Sequence, residues 1–308
     1  MEERQSSANR VQCAICGGTH TRTLYVKSGY NIGRCVQCGL VYVNPRAPKE
    51  VIGARYNSEY FTNEYLPALG VVDGSYDLNY FDERYAPLLK MLETASGRRL
   101  VEIGSGAGFF LKSAERRGWQ VTGVEVSEVA SRFATDRLGL QVHHASAESI
   151  SLPAASFDAA VMLDTIEHLF DPTAALTAVA RALAPGGLLL IGTPNFGALS
   201  RWLLGPSWAV LSPLEHVYYF DEQSLRRVLE KCGFEGIQFV RRHPEWTPQE
   251  TMNFVYTHAP RSMRSRFAAL VCRAGGHPLA RQIQRAGLQD IRLCLGRRST
   301  AGAPPLCH

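Results

Sequence analysis

Residues 99–125 combine two short apolar strands, a glycine-rich turn and a helix in an order that few folds accommodate. The segment Arg99–Ile103 reads as a strand, the turn after it carries glycines at positions 104, 106 and 108, and Phe109–Arg117 has helical periodicity. The second strand, Val121–Glu125, ends in an acid about twenty residues after the first glycine. This order is typical of one nucleotide-binding half of a doubly wound α/β fold.

The same alternation of strands and helices continues along the chain. Helices are predicted over Pro172–Leu183 and from the N-cap Asp221 to Cys232. Alternating β and α elements predict a doubly wound, mostly parallel sheet that is buried on both faces. We predict seven strands in this sheet. After the two strands at 99–103 and 121–125, the other five are predicted at 140–143, 157–163, 188–191, 234–240 and 291–295.

The chemistry of the glycine turn distinguishes between cofactors. Its pattern is E-x-G-x-G-x-G, not the G-x-G-x-x-G of dinucleotide enzymes. Glu102, directly before the turn, would repel a pyrophosphate but could hold an ammonium group, and Glu125 could accept both hydroxyls of a ribose. S-adenosylmethionine (SAM) carries a ribose, an adenine and an amino acid without a phosphate. The turn therefore predicts SAM as the cofactor.

Four cysteines near the N-terminus form a second motif. Cys13, Cys16, Cys35 and Cys38 have the spacing C-x2-C-x18-C-x2-C, which is typical of a structural zinc site. Two disulfides or four buried thiols are the alternatives; a reducing compartment disfavours the first, and the doubled C-x2-C disfavours the second. Four thiolates complete a tetrahedron, so this zinc would be structural and not catalytic.

Composition and charge exclude several classes of protein. With 45% apolar and 20% charged residues, the chain is not disordered as a whole. It lacks a run of 18 apolar residues, and its N-terminus lacks an apolar signal core, so we expect a cytoplasmic protein. Residues 241–308 hold 11 Lys/Arg against 3 Asp/Glu. This excess indicates either an anionic partner or solvated arginines; the basic helix predicted at 264–273 could be an interfacial helix, a homodimer contact or a lid.

The order of these motifs carries a family resemblance. The runs VEIGSGAGFF, GVEVS, AESISLPAASFDAAVMLDTIEHLFDP and LAPGGLLLIGTPN resemble class I SAM-dependent methyltransferases. The segment WLLGPSWAVLSPLEHVYYFDEQSLRRVLEKCGF is similar to the branch that includes ubiquinone-type O-methyltransferases and bacterial sugar or natural-product methyltransferases. The front end, RCVQCGLVYVNPRAP followed by YNSEYF, resembles a zinc-ribbon subgroup. The resemblance covers residues 11–240.

We accordingly predict four parts of the chain. A four-cysteine zinc ribbon occupies residues 1–48, and a helical, aromatic lid and linker occupies 49–98. The SAM-binding methyltransferase core spans 99–242. Residues 243–308 form a basic helical insertion, the last strand and a frayed tail.

The resemblance implies a cofactor site at the ends of the first, second and fourth strands of the core. The glycine turn would face the methionine part of SAM, and Glu125 would hold its ribose. The implied cofactor-binding residues are Glu102, Gly104, Ser105, Gly106, Gly108, Phe109, Glu125, Val126, Ala147, Glu148, Asp164 and Thr165.

A hydroxyl acceptor also needs a general base, for which histidine is suited near neutral pH. His216 is favoured as the base or as an acceptor ligand, because the resemblance places acceptor-binding residues in its segment. His168, which follows Glu167 just beyond the fourth strand, is the second candidate. Family members usually carry a basic residue at the position of Glu215, which could instead orient His216. The candidate catalytic residues are His216, His168 and Glu167; the candidate acceptor-binding residues are Tyr56, Tyr60, Phe61, Glu215 and Trp208.

Several acceptors are compatible with this sequence. The leading interpretation is transfer of a methyl group to a hydroxyl of a sugar or secondary metabolite. A carbon acceptor and an RNA acceptor are alternatives, and a non-catalytic SAM-binding scaffold is a third. Residues 1–98 hold 11 Lys/Arg against 10 Asp/Glu, so the ribbon region lacks the excess of positive charge that nucleic-acid binding requires.

Overall fold

The computed structural model describes residues 9–240 and 290–300 of the 308-residue chain. The predicted basic helix at 264–273 and most of the predicted 243–308 segment lie outside the described residues. Short 3-10 turns occupy Ile166–His168 and Gly205–Ser207, and a π-helical turn at Phe61–Tyr65 joins the short helices Ser58–Tyr60 and Leu66–Ala68. The elements in chain order are β1 (Thr21–Lys27), β2 (Tyr30–Cys35), β3 (Val41–Val43), α1 (Lys49–Gly53), α2 (Ser58–Tyr60), α3 (Leu66–Ala68), α4 (Leu78–Met91), β4 (Arg99–Ile103), α5 (Phe109–Glu115), β5 (Gln120–Glu125), α6 (Glu128–Leu138), β6 (Val142–His144), β7 (Phe157–Leu163), α7 (Pro172–Ala182), β8 (Leu183–Pro194), α8 (Leu199–Leu204), β9 (Tyr218–Tyr219), α9 (Glu222–Lys231), β10 (Phe234–Val240) and β11 (Ile291–Arg298).

The large sheet confirms the predicted doubly wound fold. Its seven strands lie in the order β10-β11-β8-β7-β4-β5-β6. Strand β11 is antiparallel to both its neighbours, and the other described pairs of this sheet are parallel. The predicted fifth strand, 188–191, is longer in the structure because Leu183 already pairs with Phe157 of β7.

Local capping chemistry defines where several helices begin. Asp221 accepts a hydrogen bond from the backbone N–H of Ser224, which confirms the predicted start of α9. Asp171 caps α7 in the same way, and Pro172 occupies its first turn. Strand β7, at the centre of the sheet, has six buried residues out of seven, as expected of a strand covered on both faces.

The N-terminal ribbon shares its core with the large domain. Strands β1, β2 and β3 form an antiparallel sheet, and β9, which lies between β8 and α9 in sequence, pairs with β3 as the fourth strand. The buried Cys13 and Cys35 belong to the same apolar cluster as Ile191 and Phe220. The ribbon is therefore continuous with the interior of the core. Within the described residues, no helix combines the length and apolar character needed to cross a membrane.

Candidate functional site

A cavity of about 490 Å³ opens at the carboxyl ends of β4, β5 and β7. This is the edge at which open α/β sheets bind ligands, and the volume is typical of a small-molecule cleft. Every predicted cofactor-binding residue except Gly108 lines it. Gly108 lies behind the turn instead, where a side chain would press on Ala134 and Leu140. Because Gly108 has no side chain, the start of α5 can pack closely against Ala134 and Leu140.

The glycine turn has a backbone conformation that residues with a side chain adopt only with strain. Gly104 and Gly106 have φ angles of 73° and 52°. A Cβ atom on Gly104 would overlap the side chain of Thr165, and one on Gly106 would overlap the hydroxyl of Tyr65. Both glycines are thus required for conformation and for space, and both line the cavity.

Glu102 is a buried acid at the end of β4 without a full set of partners. Its side chain is 3% exposed, and its Oε2 atom has no hydrogen-bond partner among the described residues. Burial, together with the nearby charge of Glu125, raises the pKa of Glu102 well above its ordinary value. An unpartnered buried carboxylate fits a cationic group such as the ammonium of an amino acid.

Glu125 lies at the end of the neighbouring strand β5 and is engaged by backbone N–H groups. Its Oε2 atom accepts a hydrogen bond from Gly106 at 2.7 Å, and its Oε1 atom accepts one from Ser127 at 2.8 Å. Burial raises the pKa of Glu125, although these two N–H groups oppose the shift. A carboxylate has about four acceptor positions, so hydroxyl groups could still bind it.

Asp164 follows β7 in a conformation that is unusual for a residue with a side chain. Its φ angle is 45°. Its side chain is exposed to solvent, but the surrounding cavity wall partly desolvates the carboxyl group and raises its pKa to about 6, while the charge of Arg84 opposes that shift. Backbone strain of this kind is concentrated at functional sites. Asp164 and Glu102 both line the cavity.

Glu148 is held by protein groups at the other end of the cavity. Its Oε2 atom lies 2.6 Å from the Nζ atom of Lys49, and its Oε1 atom accepts hydrogen bonds from the N–H groups of Phe170 and Asp171. Burial alone would raise its pKa, but Lys49 and these N–H groups hold the pKa below the ordinary value. Glu148 therefore ties the 170–171 loop to α1, and the neighbouring Ala147 and Val126 complete this end.

The two candidate histidines pack against each other. The ring centroids of His168 and His216 lie 4.7 Å apart. His168 Nδ1 donates to the carbonyl of Glu215 at 2.9 Å, and His216 Nδ1 donates to the carbonyl of Val210 at 2.8 Å. Since a carbonyl only accepts, each Nδ1 carries the proton in the neutral ring, and each Nε2 has a free lone pair.

Of the two rings, His168 lines the cavity and His216 lies behind it. Burial lowers the pKa of His168 to about 3, with a further contribution from His216, and burial also lowers the pKa of His216. Both rings are neutral at physiological pH. The hydroxyl of Tyr56 also lies 3.3 Å from His168 Nδ1.

Glu167 lies beneath the histidine pair and does not line the cavity. Its side chain is 1% exposed, and its Oε2 atom accepts a hydrogen bond from the Thr193 hydroxyl at 2.9 Å. Within residues 9–240 and 290–300, its Oε1 atom has no hydrogen-bond partner. Oε1 lies 3.9 Å from His168 Nε2. Burial and the charge of Asp164 raise the pKa of Glu167 well above its ordinary value.

The predicted acceptor-binding residues divide into two groups. Tyr56, Tyr60 and Phe61 line the cavity, whereas Glu215 and Trp208 do not. The carboxylate of Glu215 pairs with Arg55, so its backbone carbonyl, and not its side chain, contacts a histidine. Trp208 is 1% exposed in the core, and its Nε1 atom donates to Asp290 at 3.3 Å.

Several cavity residues were not predicted from the sequence, among them Tyr65 and Arg84. Tyr65 is half-buried, and its hydroxyl accepts a hydrogen bond from Ala107 N at 3.3 Å, directly over the glycine turn. The π-helical turn at Phe61–Tyr65 changes the helical spacing, so a regular period would not have placed this residue. Arg84 lines the cavity from α4, beside the buried Phe81, Tyr85 and Leu88 that mark the inner face of this helix.

The four ribbon cysteines converge on one point. Cys13 and Cys38 have their Sγ atoms 3.3 Å apart, Cys16 and Cys35 have theirs 3.5 Å apart, and all four lie within 4.8 Å of one another. Tetrahedral zinc with bonds of about 2.3 Å requires sulfur separations of about 3.8 Å. A disulfide requires about 2.05 Å. The arrangement therefore fits a metal better than two disulfides.

Comparisons with known proteins agree with this architecture. A family described as "Methyltransferase domain" matches residues 77–238. The chain is 30% identical over 154 residues to a ubiquinone biosynthesis O-methyltransferase of Idiomarina loihiensis, covering 46% of this chain and 63% of that protein. It is 32% identical over 157 residues to the enzyme of the same name from Aromatoleum aromaticum, covering 47% and 67%. The chain thus spans about two thirds of the length of these relatives.

Solved structures share the fold. A phosphoethanolamine N-methyltransferase 2 from Haemonchus contortus in complex with SAM superposes with a TM-score of 0.56 at 18% identity, covering 89% of this chain and 70% of that one. A SAM-dependent methyltransferase of Thermotoga maritima, described as a possible histamine N-methyltransferase, gives a TM-score of 0.52 at 24% identity, covering 78% and 98%. At these identities the likeness concerns the fold alone.

Proposed function

Since the chain belongs to the methyltransferase-domain family and is a class I SAM-dependent methyltransferase resembling the ubiquinone-type O-methyltransferases, we propose that it methylates a hydroxyl group of a small molecule. The observation that carries methyl transfer is the cavity at the strand ends, where the glycine turn lies between two buried acids, Glu102 and Glu125. The hydroxyl acceptor is supported by the O-methyltransferase relatives. We propose a sugar or a secondary metabolite as the acceptor.

The residues around the cavity fit SAM. Glu102 would hold the ammonium of its methionine part, and Glu125 would hold its ribose. Val126 and Ala147 would flank the adenine, and Arg84 offers a positive charge for the carboxylate. When bound, SAM supplies an electrophilic methyl group on a sulfonium. The protein then has to position an acceptor and remove its proton.

We assign the role of general base to His168. What supports His168 over His216 is its place at the cavity, since both rings carry the Nε2 lone pair that a base needs. The acceptor oxygen would form a bond to the methyl carbon, and the sulfonium–carbon bond would break with its electron pair going to sulfur. The hydroxyl proton would pass to His168 Nε2. His216 would hold the ring of His168 from behind.

Two further parts of the proposal concern the lid and the ribbon. Tyr56, Tyr60 and Phe61 would cover the acceptor side, where aromatic faces attract a sulfonium. The convergence of Cys13, Cys16, Cys35 and Cys38 supports one structural zinc ion.

Transfer of labelled methyl groups tests the function directly. Methyl-labelled SAM would be incubated with purified protein and with a cell extract separated into small-molecule and nucleic-acid fractions. We expect label in the small-molecule fraction, and mass spectrometry would then identify the acceptor. The His168→Ala variant serves as the matched control and should transfer little label. Label confined to nuclease-sensitive material would refute the small-molecule proposal.

A further inference from the structure

Helix α9 of the large domain contacts both cysteine loops of the ribbon. Lys231 Nζ donates to the carbonyls of Ala14 and Ile15, at 3.1 and 3.0 Å, and these residues lie between Cys13 and Cys16. Arg227 donates to the carbonyl of Cys38. Two cations thus approach a centre that carries two negative charges when four thiolates bind one Zn²⁺. A helix outside the ribbon thus holds both ligand loops of the proposed metal site by hydrogen bonds.

The ribbon also contacts the segment that carries the histidines. Val43 of β3 donates its N–H to the carbonyl of Val217 at 2.9 Å, and Val217 donates its own N–H to the carbonyl of Glu167 at 2.9 Å. Val217 follows His216, and Glu167 precedes His168. One residue therefore connects the ribbon to the backbone on which both histidines lie.

A second set of contacts joins β1 of the ribbon to the chain before His216. Lys27 Nζ donates to the carbonyl of Trp208 at 3.2 Å, and Arg201 donates to the hydroxyl of Tyr25 at 3.1 Å. His216 itself depends on this stretch, because its Nδ1 donates to the carbonyl of Val210. The ribbon thus holds the 208–219 segment at both ends.

We infer that the four-cysteine centre, through Val217, positions the histidine pair beside the cavity, so that metal binding controls the acceptor side of the site and leaves the SAM side intact. The SAM side is built from β4, β5 and the glycine turn, and among the described residues these strands pair within the large sheet and not with the strands of the ribbon. The ribbon reaches the Glu148 end of the cavity through Arg46, which donates to the carbonyl of Phe170 at 3.0 Å. This inference rests on the proposed zinc site and on the proposed role of His168.

Reversible removal of zinc from the full chain tests the coupling. Hydrogen exchange would be followed by mass spectrometry, imidazole tautomers by long-range ¹H–¹⁵N spectra, and SAM affinity by calorimetry. We expect zinc removal to abolish amide protection at 208–219 and to replace the Nδ1–H signature of His216 by that of a mobile ring. The SAM dissociation constant should stay within about twofold, as for distant, independent sites.

Three outcomes would overturn the inference. The first is a protein that binds no zinc. The second is amide exchange that increases at residues 13–43 on zinc removal, while the amide protection of 208–219 and the tautomer signature of His216 stay unchanged. The third is loss of SAM binding when the metal is removed. A zinc-loaded protein that shows the histidine signature but never binds SAM would contradict the proposed function and leave the coupling supported.

Variants on α9 provide a test that does not disturb the cysteines. Arg227→Gln and Lys231→Gln should each weaken zinc binding on the order of tenfold, because each removes a charged hydrogen-bond donor from a ligand loop. Arg226→Gln is the matched control, since Arg226 donates to Ile237 in β10 and not to the ribbon; it should change zinc affinity by less than about twofold. Equal effects of the three substitutions would contradict the role of α9.

Discussion

The Glu102→Gln substitution tests the cofactor assignment most directly. In the described part of the chain, the Oε2 atom of Glu102 is buried without a hydrogen-bond partner, and its carboxylate is expected to bind the ammonium of SAM. A hydrogen bond to a charged group contributes about 1.5–3 kcal/mol, which corresponds to about 10- to 150-fold in affinity. Glutamine keeps the size of the side chain and removes its charge, so we expect the SAM dissociation constant to rise by this factor.

The pH dependence supplies an independent check on the same residue. The folded-state pKa of Glu102 is raised, so the stability of the ligand-free protein is full below the unfolded-state pKa and is lost as pH rises through the folded-state pKa. SAM binding favours the ionised carboxylate, so SAM affinity should increase with pH in that window. Glu102→Gln should remove both dependences, and at neutral pH the variant should be no less stable than the native protein.

Isothermal calorimetry across a pH series, with thermal unfolding beside it, measures both effects. Glu115→Gln is a suitable control because Glu115 lies on the outer face of α5, paired with Lys112. Its SAM affinity should stay within about twofold of the native value. If Glu102→Gln also stayed within that range, the ammonium assignment would be refuted.

The other predictions concern the ribose, the base, the turn and the metal. Glu125→Ala should abolish SAM binding without unfolding the protein, and an unchanged calorimetric affinity would contradict the ribose assignment. His168→Ala should lower kcat by about 10²–10⁴-fold with SAM affinity retained, whereas a larger loss in His216→Ala would reverse the two roles. Gly106→Ala should lower both stability and SAM affinity, because its Cβ would overlap the Tyr65 hydroxyl; native-like thermal unfolding would contradict this. Metal analysis of reduced, folded protein should find one zinc per chain, and its absence would exclude the metal-bound ribbon.

The sequence specifies the large sheet well because its signals are local. All seven predicted strands are present, and Asp221 begins α9 as expected, since strand periodicity and N-caps depend on neighbouring residues. The cavity acids were also predictable. Glu102 and Glu125 end parallel strands that pair directly, and the carboxyl ends of such strands meet at one edge of the sheet.

The arrangement of the acceptor side depends on contacts between distant parts of the chain. Sequence reasoning favoured His216, but His216 lies behind His168 because Val217 pairs with β3 of the ribbon and with Glu167. Trp208 is buried in the core, where its Nε1 atom donates a hydrogen bond to Asp290, 82 residues further along the chain. Tyr65 lies over the glycine turn because it belongs to a π-helical turn. No local pattern encodes these contacts.

The sequence by itself thus determined the fold class, the turn that fits SAM and the cysteine spacing that fits zinc, because each follows from residue type and short-range geometry. Only the tertiary structure decided which histidine faces the cavity and that the ribbon and the large domain share one core. Those features arise from packing and backbone pairing between segments more than a hundred residues apart, such as Val43 and Val217.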